Sequence, residues 1–64
     1  MAKKNVEYTM NFAKDNGNTA VAEVLKGGKV DVTISNPDNV TVIRHFENVD
    51  AMNSEMKSME YKAV

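Results

Sequence analysis

The chain's single histidine, His45, stands beside Arg44 and ahead of Glu47 and Asp50, residue types that could hold a divalent metal or move a proton. The spacing supports neither chemistry. One imidazole followed by two carboxylates at these offsets lacks the paired ligands of a recurrent zinc motif. A general base also needs an enclosed, substrate-facing pocket, which 64 residues can hardly build. Ser35, Ser54 and Ser58 have no partner arrangement that would make one a nucleophile beside its base. The run Asn36-Pro37-Asp38-Asn39 offers oxygen ligands of the kind calcium takes, but calcium loops need several carboxylates at set intervals and Asp38 is the only one. Each of the four residues suits a tight turn instead, since Pro fixes φ and Asn and Asp bond their own backbone. Gly27-Gly28 lacks the flanking glycines and the Lys-Ser/Thr ending of a phosphate loop. We therefore expect no catalytic residue, no metal set and no cofactor, and a protein that is not an enzyme.

Composition narrows the class further. Eight Lys and Arg against nine Asp and Glu give a formal charge of −1, and the signs are interspersed, so no strong field for nucleic acid is expected. At this length the chain makes a single small domain over residues 1–64, burying only about 60% of the unfolded surface. With no cysteine, disulfides and thiolate metal sites are excluded, leaving good packing or association to support a thin core. A secreted domain of this size commonly needs disulfide staples, which favours a cytoplasmic or particle-associated location. The opening MAKKNVEYTM has no apolar core of signal-peptide length, and no run approaches a membrane span.

The clearest elements are two alternating runs around the Asn36–Asn39 turn. Val30, Val32 and Ile34 alternate with Asp31 and Thr33, and Val40 and Val42 with Thr41, the pattern of a hairpin with one buried face. Residues 5–12 alternate strictly as well, with Val6, Tyr8, Met10 and Phe12 on one side, and Asn16-Gly17 turns the chain. Residues 19–26 fit two templates. As a helix, Ala20, Val21, Val24 and Leu25 share a face, with Gly27 at the cap; as a strand, a two-residue Gly27-Gly28 turn sets Val21 and Leu25 beside Val30, Val32 and Ile34. The β-branched residues favour the strand. Beyond Glu47 the period changes: Val49, Met52, Met56, Met59 and Ala63 recur at threes and fours, which predicts an amphipathic helix over 49–61 capped by Asn48 or Asp50. The expected fold is α+β, a small antiparallel meander of three or four strands with one C-terminal helix packed on it.

With no chemistry to organise, we expect a non-enzymatic protein–protein interaction or assembly module, a homo-oligomer or partner of another protein. A virion structural or mobile-element accessory protein is one concrete form. Val24, Ile43 and Phe46 are candidates for the face the helix does not cover, and the Met stripe can meet partners as well as a core, so the expected partner-binding residues are Ile43, Phe46, Val24, Met52 and Met59. The run through GNTAVAEV, KGGKVDVTI and NVTVIRHF is similar to the swapped-hairpin antitoxin and transition-state regulator domains, over about half the chain. That resemblance implies the alternative, a small dimeric DNA-binding regulator. The chain lacks the helix those domains place before the hairpin, and only Lys14, Lys26, Lys29 and Arg44 could form a phosphate-neutralising patch.

Overall fold

The computed structural model describes residues 5–64. Four consecutive strands form a meander: β1 (Val6–Ala13), β2 (Thr19–Leu25), β3 (Val30–Ser35) and β4 (Thr41–Phe46). Helix α1 (Val49–Ser58) follows, and a two-residue β5 (Lys62–Ala63) closes the sheet in the order β4-β3-β2-β1-β5, antiparallel throughout. Residues 1–4, which include Lys3 and Lys4, lie outside the described residues. The antiparallel sheet with a C-terminal helix is the expected architecture; it carries five strands rather than three or four.

All three hairpins share one hydrogen-bond pattern, although the middle loop has positive φ at Gly27 as well. In each, the first flanking residue donates its N–H to the carbonyl of the last, and the third loop residue donates back: Lys14 with Asn18 and Gly17, Leu25 with Lys29 and Gly28, Asn36 with Val40 and Asn39. The third position has positive φ in every case, +96° at Gly17, +99° at Gly28 and +65° at Asn39, as a three-residue hairpin loop requires. In the last loop the Asn36 side-chain oxygen accepts from the N–H groups of both Asp38 and Val40. Asn tolerates the left-handed region less well than Gly, so Asn39→Gly is expected to stabilise the fold by a few tenths of a kcal/mol and Asn39→Ala to destabilise it by about 1 kcal/mol. Paired urea titrations read both signs.

Loop length corrects the expected arrangement of β2. A two-residue Gly27-Gly28 turn would pair Leu25 with Val30, whereas the three-residue loop pairs Val24 with Val30 and Ala22 with Val32. One residue of shift exchanges the faces of a strand. Ala20, Ala22 and Val24 consequently lie buried under the helix, while Val21 and Leu25 turn to the opposite face and Glu23 joins them there. The choice fits the helix, since small alanines on a central strand leave room for the long Met52 and Met56, both essentially inaccessible to solvent. Phe12, Val30 and Val32 complete the floor, with Met10, Ile34, Val49 and Met59 packed around it.

The helix is capped as the sequence implies, by the Asn48 side chain accepting from the Ala51 N–H at 2.8 Å. Its ten residues span about 15 Å, close to the roughly 14 Å between the first and last of four adjacent strands. It can therefore start beside β4 and deliver the chain to β1. It ends three residues before the expected Tyr61. Glu60 adopts φ +66°, and the bonds Tyr61 N–H to Met56 O and Glu60 N–H to Lys57 O close a Schellman turn. Tyr61 folds back into the core, and Ala63, expected on the helical stripe, pairs with Phe12 at the β1 edge. Although the Met52–Met56 stripe leaves Glu55 on the flank of the helix, Glu55 is half-buried.

Candidate interaction surface

One face of the sheet is roofed by α1; among the described residues no element roofs the other. Strand register places the uncovered residues in rows: Thr9, Glu23, Asp31 and His45; then Asn11, Val21, Thr33 and Ile43; then Ala13, Thr19, Ser35 and Thr41. The middle row carries the largest apolar exposure, Val21 at 41% and Ile43 at 56%, with Val6 opposite Leu25 adding a smaller share. The first row carries the charge. Asp31 is 8% exposed because Glu23 and His45 flank it on the neighbouring strands. His45 Nδ1 lies 2.6 Å from Asp31 Oδ1, a hydrogen-bonding distance that ties the ring across the β3–β4 seam. Most of the imidazole is in water. The ring is thus on a wet surface, and its tie to Asp31 is a contact that cross-strand counting from the Pro37–Asn39 loop finds.

Strand β4 is open in a second sense. The bond from Asn36 N–H to Val40 O sets the phase of the antiparallel ladder, so Val42, Arg44 and Phe46 turn their backbone groups to β3, and Thr41, Ile43 and His45 turn theirs outward. No described strand pairs with that edge. The side chains there are also exposed on both faces, Val40 at 56%, Val42 at 51% and Ile43 at 56%. The opposite edge is managed differently: β5 covers Phe12 and Ala13, the Val64 N–H bonds Asn11 O, and the register is irregular between Val6 and Tyr8. Short coverage and irregular register both discourage further pairing.

Of the five residues expected to bind a partner, Ile43 lies on the uncovered face. Val24 and Met52 do not reach a surface, being 3% and 0% exposed in the chain's own core. Phe46 and Met59 pack half-buried against that core; Phe46 pairs with Val30 on the helix side of β4, because only odd-numbered β4 residues point to the open face. Val21 and Val42 were missed, the first through the β2 register and the second because the helix leaves that part of β4 uncovered.

A shallow cleft of about 360 Å³ lies at the helix C-terminus, lined by Asp15, Lys57, Glu60, Tyr61 and Lys62. Its carboxylates and ammonium groups balance, Lys14 Nζ caps the Tyr61 ring at 5.4 Å, and Asn18 Nδ2 donates to the Tyr61 hydroxyl at 3.4 Å. These contacts fix the end of the helix against the first loop. Among the described residues no three His, Cys, Asp or Glu side chains are grouped to hold a metal, and no helix is long and apolar enough to cross a membrane. The Asn36–Asn39 oxygen that a cation would need is already directed at backbone N–H groups. The four cations of the DNA-binding alternative are dispersed: successive meander loops lie at opposite ends of the sheet, which separates Lys14 from Lys26 and Lys29, and Arg44 stands on the helix side of β4 over the Phe46 ring.

Fold and surface together define a small helix-on-meander α+β chain in which, among the described residues, one sheet face is bare, β4 has no partner on its outer edge and β1 is covered by β5 only at Phe12 and Ala13. No protein-family model, curated protein or solved structure matches the chain.

Proposed function

We propose that this chain is a non-enzymatic protein–protein interaction module that associates with further copies of itself. The observation that carries the reading is the concentration of exposed apolar side chains, Val40, Val42 and Ile43, on the one long strand whose outer backbone groups have no partner strand among the described residues. Free edges with apolar flanks attract another strand unless charge, bulges or coverage prevent it. On β4 the only charged or titratable side chains are Arg44 and His45, and His45 is engaged by Asp31. Association that occludes Ile43 removes the exposure without disturbing the core.

Light scattering of the full chain across a concentration series tests this reading. The expected result is a discrete oligomer at high micromolar concentration. A monomer throughout, with Ile43→Asp as stable and soluble as the parent, would overturn it.

A further inference from the structure

Resting on the reading just given, we infer that two copies join through their β4 strands about a twofold axis at Ile43, continuing the two sheets into one. Closed symmetric dimers present the same surface on both sides, so residues pair reciprocally across the axis. Because Thr41, Ile43 and His45 direct their backbone groups outward, an antiparallel seam centred on Ile43 pairs Ile43 with Ile43 of the second copy and Thr41 with its His45, in both directions. Each of these pairs exchanges two bonds, about six in all.

Side chains select this register over its neighbours. On the open face Ile43 meets Ile43, covering the most exposed apolar residue there. On the helix face Val40 stands opposite Phe46 and Val42 opposite Arg44 of the second copy, so both exposed valines gain a neighbour and no like charges face each other. Centring the axis on residue 44 instead would set Arg44 directly against Arg44, which is destabilising. Centring it on residue 45 would juxtapose the two histidines, and centring it on residue 42 would bring the Asn39 loop residue, at positive φ, into the seam. Only the axis at residue 43 uses nearly the whole of β4, Thr41–Phe46. A seam of this length is at the small end of specific interfaces, so the dissociation constant should be on the order of micromolar.

The chain's lack of cysteine makes the register directly measurable. Single variants Thr41→Cys, Ile43→Cys and His45→Cys are exposed to a mild oxidant at a concentration where the parent sediments as a dimer. About this axis the two residues at position 43 have Cα atoms about 5.5 Å apart, inside the disulfide range. Residues at 41 or 45 are displaced from their own copies by about 14 Å along the strand. The expected result is rapid covalent dimer from Ile43→Cys alone, together with at least a tenfold rise in dissociation constant for Ile43→Lys, whose helical circular dichroism stays that of the parent. If the parent is a dimer but Ile43→Lys leaves it intact, or cross-linking peaks at another position, the β4 seam is wrong and the interaction reading survives through another surface. A parent that remains monomeric removes both.

Discussion

Met56→Ala is expected to leave the domain largely unfolded at room temperature. Met56 is 1% exposed, at the centre of the helix face that packs on Ala20, Ala22 and the β3 valines. Truncating a fully buried Met removes transfer energy and leaves a cavity, costing about 2–5 kcal/mol. A core of this size supplies only about 3–5 kcal/mol in total. Alanines on β2 have no side chain with which to fill the void, so the upper half of the cost is expected here. Far-ultraviolet circular dichroism through a urea titration measures it. A loss below about half a kcal/mol, the scale of exposed positions, would show that α1 does not sit on the sheet as described.

The second large effect is expected at Gly17, where two costs coincide. Its φ of +96° belongs to glycine, and a Cβ built there would lie 2.9 Å from Cγ of Pro37 in the β3–β4 loop. A proline ring has little freedom to withdraw. Gly28 occupies the equivalent position of its own loop at φ +99°, with nothing within 4 Å of the corresponding Cβ. Gly28→Ala therefore measures the backbone cost alone, about 1–2 kcal/mol, and Gly17→Ala should exceed it by about 1 kcal/mol for the loop-to-loop contact. Combining Gly17→Ala with Pro37→Ala should recover that excess and no more. Equal losses at Gly17 and Gly28 would mean that the first and third loops do not touch.

How these features were encoded differs from one to the next. Positive φ recurs every eleven residues, at Gly17, Gly28 and Asn39, and glycine or asparagine stands at each because few other side chains tolerate it. The strands β1, β3 and β4, the Asn16-Gly17 and Asn36–Asn39 turns, the Asn48 cap and the burial of Met52 and Met56 are local or periodic properties, so they follow from residue type and spacing. Counting outward from a three-residue Pro37–Asn39 loop even sets Asp31 opposite His45, which makes the His45–Asp31 tie of the open face derivable from the chain alone. Residue types and their spacing were likewise the grounds for expecting no catalytic set, and the balanced charge for expecting no nucleic-acid field.

Tertiary packing decided the remainder. Strand β2 carries apolar residues on both faces, Ala20, Ala22 and Val24 against Val21 and Leu25, so its pattern is satisfied either way up. One loop residue and the space demanded by Met52 and Met56 put the alanines inside and left Val21 outside. The helix stop is equally silent locally, because Glu60 enters the left-handed region without the glycine that usually marks it; burial of Tyr61 and pairing of Ala63 with Phe12 accompany that turn. The bareness of β4 follows from the same geometry. A helix of ten residues just spans the sheet on its way to β1 and leaves Val40 and Val42 on its own face exposed, while Ile43 lies on the opposite face, which the helix does not reach.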